Sequence, residues 1–165
     1  MSEEECTRDP VQTLIRQFLT DKAEDSSIFH CMEHDELEFA ADYFEVVCYP
    51  VGSVIVKEGE KLDYLGIVTS GKLEARHKPT IGSREITIAL LEKGAHFGSI
   101  SFPGGRSAMA AVVAEEETEV LVLSQDKFNA FADRQPRAAV KLLQGIIEVL
   151  TIRLESAIDR VILFY

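Results

Sequence analysis

The sequence predicts a mainly β domain with helices at both ends. Three observations carry that expectation. Residues 46–124 break into short β-branched runs separated by glycine, the pattern of many short strands in a sandwich or barrel-like roll. The segments before and after them place apolar residues at three- and four-residue spacing, as one helix face requires. The composition, 46% apolar and 27% charged over 165 residues, is that of one ordinary globular domain with a real core.

The N-terminal helical segment comes first. Val11, Leu14, Ile15, Phe18 and Leu19 share one face. The polar stretch 20–27 interrupts the pattern and supplies capping residues. A second helical pattern runs through Phe29, Met32, Leu37, Phe39, Ala40 and Phe44, with acidic residues on the opposite, solvated face. The strands are then expected at 46–49, 53–56, 65–68, 72–75, 85–90, 109–113 and 119–123. Within 85–90, Ile86, Ile88 and Leu90 fall on one side of a cleanly alternating run. Gly52, Gly59, Gly71, Gly82 and Gly94 stand between runs as turn punctuation.

Helical spacing returns after residue 124. A short helix over 125–133 ends at Gln135-Pro136, because the residue before proline disfavours helical backbone. Pro136 then suits the first turn of a long helix. That helix carries Val140, Leu143, Ile147, Leu150, Leu154, Ala157, Val161 and Phe164 at alternating spacings of three and four. Such a heptad seam predicts a two-helix coiled coil, hence a homodimer. A second stripe, Leu142, Ile146 and Val149, covers only the first half of the helix. This half is expected to pack on the roll while the seam faces a partner.

The charge is unevenly placed. Residues 1–60 hold 15 Asp/Glu and 4 Lys/Arg, whereas residues 61–165 hold 13 of each sign, so the whole excess of −11 lies in the first third. An acidic chain lacks the electrostatic footprint for a phosphate backbone or an anionic membrane surface, which argues against direct nucleic-acid or membrane binding. No apolar run approaches the roughly 20 residues of a membrane-spanning helix. The acidic start, with no apolar stretch behind it, is unlike a secretory signal. Cys6, Cys31 and Cys48 are odd in number and lack metal spacing, which points to free thiols in a reducing, cytoplasmic compartment.

One stretch carries chemistry, residues 94–108. A strand runs into Gly94 and then Phe97-Gly98-Ser99-Ile100-Ser101, a turn rich in small residues, before Arg106-Ser107-Ala108 leads into another strand. Backbone N–H groups at such a turn point at an anion, and Gly98 permits close approach. Arg106 can grip a phosphate through two parallel hydrogen bonds.

Together with Pro50-x-Gly52, Glu58-Gly59 and Gly71, this stretch resembles the cyclic nucleotide-binding domain shared by catabolite activators, kinase regulatory subunits and nucleotide-gated channels. The resemblance covers about residues 28–160. It implies a double-stranded, jelly-roll-like β-roll with N-terminal helices and a long C-terminal helix. It implies a phosphate-binding cassette in which Gly98 and Arg106 keep the family roles and Ser107 is the small polar residue beside the phosphate. Phe97, Ile100 and Ala108 belong to the same cassette, with Ser99 and Ser101 as sugar contacts. Thr151 falls where the family's long helix meets the base. Two departures stand out. The family glutamate that takes the ribose 2′-hydroxyl is Ser99 here, and the segment 99–106 is two or three residues shorter. A charged hydrogen bond is worth roughly 1.5–3 kcal/mol, or about 10–150-fold in affinity. The resemblance therefore implies altered or weakened specificity.

Other chemistries fit less well. His30-Cys31-Met32-Glu33-His34 matches a His-x-x-Glu-His zinc pattern, with both histidines on one face if helical. The motif is short, lacks a third ligand in a fixed context, and shares its stretch with the core residues Phe29 and Met32, so no metal is assigned. A metal enzyme on a β-roll would want clustered histidines, yet only His77 and His96 fall in the β region. No catalytic triad signature is present, and no enzyme activity is expected.

The expected organisation is an acidic helical segment at 1–27 and a sensing domain at 28–165. In that domain the roll spans about 46–124 and the C-terminal helices 125–165, with no DNA-binding helix-turn-helix after them. The expected function is ligand-sensing regulation by cyclic AMP, cyclic GMP or another phosphate-bearing small molecule, with no cofactor and an unknown downstream protein partner. The competing expectation is a dimerisation or docking module whose pocket holds nothing.

Overall fold

The computed structural model describes residues 12–13, 27–80, 84–102 and 104–162. The first expected helix lies outside these residues except for Gln12 and Thr13, which are helical. Eight strands among the described residues form two four-stranded antiparallel sheets. The strands are β1 (Glu45–Tyr49), β2 (Val54–Val56), β3 (Tyr64–Ser70), β4 (Leu73–His77), β5 (Ile86–Leu91), β6 (His96–Phe97), β7 (Ala111–Ala114) and β8 (Thr118–Ser124). One sheet is ordered β1-β8-β3-β6 and the other β2-β7-β4-β5, which is the roll the sequence predicts. The helices with defined bounds are α1 (His34–Ala41), α2 (Gln125–Arg134) and α3 (Pro136–Ile162).

Two apolar cores explain which residues became strands. Between the sheets pack Val56, Leu62, Val68, Leu73, Leu91, Phe97, Val112 and Val120. Outside the first sheet, Leu65, Ile67, Leu121 and Leu123 meet Phe29, Leu37, Phe44, Phe131, Leu142 and Ile146 from the helical layer. The central strands β3 and β8 are thus buried on both faces, which is why they read as continuous apolar runs. The edge strand β5 behaves differently. Its alternating residues Ile86, Ile88 and Leu90 are half-exposed, so the clean alternation marks a strand whose apolar row faces outward.

Residues 28–32 form a turn, and the helix starts only at His34. A reciprocal capping box sets that start: Glu33 and Glu36 each accept from the other's backbone N–H. Phe29 and Met32 are buried in the turn itself.

The second stripe of the long helix packs inward as expected. Ala138, Ala139, Leu142, Gly145, Ile146 and Val149 are buried against the helical core. The seam residues are not uniform. Leu143 and Leu150 are partly buried at the edge of that core, whereas Val140, Ile147, Leu154, Ala157 and Val161 are exposed. From Thr151 onward every described residue of α3 is exposed. Gly145 has a packing role. A Cβ there would overlap the Ile28 carbonyl oxygen, so only glycine lets α3 lie this close to the 28–32 turn. Lys141 on α3 also pairs with Glu36 of α1 at 2.8 Å. No helix among the described residues is long and apolar enough to cross a membrane.

Candidate functional site

The cassette begins where β6 ends. Gly98 has φ +80°, and a Cβ there would overlap the Tyr64 carbonyl oxygen, so both backbone angle and space demand glycine. The chain then closes one helical turn. The N–H groups of Ser101 and Phe102 both donate to the Gly98 carbonyl, at 3.0 and 2.8 Å. The Arg106 N–H donates back to the Ser101 carbonyl at 3.2 Å. The far side is stitched to the 59–62 segment. The Leu62 N–H donates to the Arg106 carbonyl, the Ala108 N–H donates to the Glu60 carbonyl, and Ser107 bridges Lys61.

The two phenylalanines of this loop tie it to both cores. Phe97 lies between the sheets, edge-on to Tyr64 with ring centroids 6.2 Å apart. Phe102 is fully buried in the helical core, edge-on to Phe128 of α2 at 5.1 Å. Burying such a ring contributes about 1.5–3 kcal/mol, which holds the cassette against α2.

The predicted site residues therefore separate by exposure. Arg106 and Ser107 are exposed at the end of the loop. Ile100 is half-exposed. Ser99, Ser101 and Ala108 are buried, and the Ser101 hydroxyl donates to the Ser107 carbonyl at 3.4 Å. Thr151 is exposed, and its hydroxyl donates to the Ile147 carbonyl of its own helix at 2.8 Å.

Three further residues complete the surroundings. Lys61 runs beside the loop, its Cε 3.0 Å and its Nζ 3.6 Å from where a Cβ on Gly105 would stand. It places a second cation beside the arm that carries Arg106. His96, immediately before Phe97, is 1% exposed, and neither ring nitrogen has a hydrogen-bond partner among the described residues. Burial, with a smaller contribution from the Arg153 charge, pushes its pKa down to about 3, so the ring is neutral. Arg153 of α3 donates to the His96 carbonyl through both terminal nitrogens, at 3.4 and 3.3 Å. It is Arg153, two positions beyond Thr151, that joins the long helix to the start of the cassette. The zinc pattern at 30–34 does not form a common face: His34 pairs with Glu38 at 3.2 Å, while His30 pairs with Glu148.

A β-roll carrying a glycine turn and a terminal arginine defines a class, and comparison with known proteins agrees. Residues 46–135 match the cyclic nucleotide-binding domain. The chain is 34% identical over 117 residues to the cyclic AMP receptor protein of Thermus thermophilus, covering 71% of this chain and 54% of that protein. It is 31% identical over 89 residues to a cAMP-dependent protein kinase regulatory subunit of Aspergillus fumigatus, covering 54% of this chain and 21% of that one. The crystal structure of the Thermus thermophilus catabolite activator protein superposes with a TM-score of 0.72 at 31% identity, over 83% of this chain and 62% of that chain. A cyclic nucleotide-binding domain from Methylobacillus flagellatus superposes with a TM-score of 0.75 at 26% identity, over 81% and 75%. The chain belongs to the cyclic nucleotide-binding domain family. It spans about half the length of the Thermus relative and about a fifth of the kinase subunit.

Proposed function

We propose that this chain is a ligand-sensing regulatory domain that takes a cyclic nucleotide or a related phosphate-bearing ligand at Gly98 and Arg106. The observation that carries the reading is the exposed Arg106-Ser107 pair at the end of a glycine turn, held by backbone hydrogen bonds to residues 60–62. Arg106 grips the phosphate as a bidentate donor, and Lys61 adds positive charge nearby. The names of its relatives, a cyclic AMP receptor and a kinase regulatory subunit, support regulation by such a ligand.

Specificity is the altered part. Ser99 stands where the family glutamate binds the ribose, and it is 6% exposed. A short, buried serine offers the sugar little, so binding is weakened and less selective. Homodimerisation through the exposed seam belongs to the same reading. Val140, Ile147, Leu154 and Val161 present an apolar row on α3 that a second copy would cover. Ligand and helix communicate through Arg153, and through Phe102 against α2. Occupancy shifts the dimer only by as much as the ligand prefers one arrangement over the other.

The test is calorimetric titration of wild type and Ser99→Glu with cyclic AMP and cyclic GMP. Restoring the carboxylate should tighten binding about 10–150-fold. Equal affinity in the two proteins would remove Ser99 as the cause of weak binding. The absence of heat from either nucleotide in both proteins would favour the docking module with an empty pocket.

A further inference from the structure

We propose that His30, Cys31 and Glu148 form a zinc site that clamps the 28–32 turn to α3. The proposal is independent of the nucleotide reading, because none of these residues belongs to the cassette.

The juxtaposition is built by the fold. Gly145 brings α3 against the Ile28 backbone, and Glu148 follows one helical turn later. Ile28, Phe29, Met32, Ile146 and Val149 are buried beneath the cluster, so both backbones are fixed. The three donor atoms, one each from His30, Cys31 and Glu148, all lie within 4.8 Å of one another. His30 Nε2 is 2.5 Å from the Glu148 carboxylate and 3.1 Å from Cys31 Sγ. Donor atoms around a tetrahedral zinc stand roughly 3.3–3.7 Å apart, so a small rotation of the exposed Glu148 side chain admits the ion.

The other histidine nitrogen supplies an independent argument. Nδ1 lies 2.9 Å from the Ser27 carbonyl oxygen, which can only accept, so Nδ1 carries the hydrogen. Nε2 is then the ring nitrogen that faces the thiol and the carboxylate. A backbone carbonyl holding the far nitrogen is the support that metal-bound histidines recurrently have. One nitrogen, one sulfur and one carboxylate suit zinc and exclude magnesium or calcium as preferred ions. The fourth position is open to water, since His30 and Glu148 are exposed.

The experiment uses the full chain, reduced and stripped with EDTA. Zinc chloride is titrated by calorimetry and cobalt(II) by absorption. Wild type is expected to bind zinc one to one, and cobalt is expected to give a thiolate charge-transfer band in the near ultraviolet. Cys31→Ser should abolish that band and weaken zinc binding at least about tenfold, and Glu148→Gln and His30→Gln should each weaken it. Zinc should raise the melting temperature of wild type but not of Cys31→Ser, which must melt like wild type in EDTA. Cys48→Ser and His34→Gln are expected to bind as wild type does. Substoichiometric zinc in wild type, or equal binding in wild type and Cys31→Ser, would overturn the site and leave His30–Glu148 as a plain ion pair.

Discussion

Acidification should loosen the start of the cassette through one residue, His96. Its ring is 1% exposed, lacks hydrogen-bond partners among the described residues and stays neutral in the fold, with a pKa of about 3 against 6.5 for a free histidine. Between those two values the unfolded chain binds a proton that the folded chain refuses. Stability is therefore fully present above pH 6.5 and falls as pH drops toward 3, by up to about 1.4 kcal/mol per pH unit. Between pH 7 and pH 5 the loss from this residue is about 2 kcal/mol. Carboxylates titrate over part of the same range, so the assay is a difference. Urea unfolding is measured at both pH values for wild type and for His96→Phe, at one protein concentration. The packing change made by phenylalanine enters at both pH values and cancels. Wild type should lose about 2 kcal/mol more than the variant on acidification. Parallel losses in the two proteins would refute the buried, neutral His96. They would also remove the physical reason for expecting acid to disturb the Phe97-Gly98 turn.

Two further variants, one single and one double, test α3. Gly145→Ala raises intrinsic helix propensity, yet its Cβ overlaps the Ile28 carbonyl oxygen, so the fold should lose about 1–3 kcal/mol in urea unfolding; an unchanged or higher midpoint would show that the close approach is unimportant. Ile147→Glu with Leu154→Glu places charge at two seam positions that are each 61% exposed within one chain. Wild type should sediment as a dimer at micromolar concentration and the double variant as a folded monomer. A wild-type monomer would contradict the seam.

Much of the fold is legible in the sequence because its signals are local. β-branched runs between glycines mark seven strands to within two or three residues, and the spacing of Leu142, Ile146 and Val149 marks the buried stripe of α3. Strand β6 escapes notice because two residues, His96 and Phe97, show no period. The facing of β5 escapes for a different reason. Alternation reveals a pleat, but which side is covered depends on where an edge strand lies in the finished roll. The turn at 28–32 is mistaken for helix because Phe29 and Met32 are apolar at helical spacing, although both are buried by the turn.

The site divides similarly. Gly98 and Arg106 stand out in the sequence because their residue types suit a phosphate. Lys61 and Arg153 are invisible because their roles depend on chain segments far away in sequence. Gly145, inside an otherwise helical pattern, was an available signal of close packing. The His30–Cys31–Glu148 cluster was half-visible. The histidine and cysteine stand in the zinc pattern, but their third partner comes from α3 rather than from His34.

The reading of Arg106 as the phosphate anchor is tested most directly by calorimetric titration of wild type and Arg106→Ala with cyclic AMP and cyclic GMP. Wild type should bind at least one of them, more weakly than micromolar, and Arg106→Ala should weaken that binding by about 10–150-fold. No heat from either nucleotide in wild type, or undiminished binding by Arg106→Ala, would contradict it.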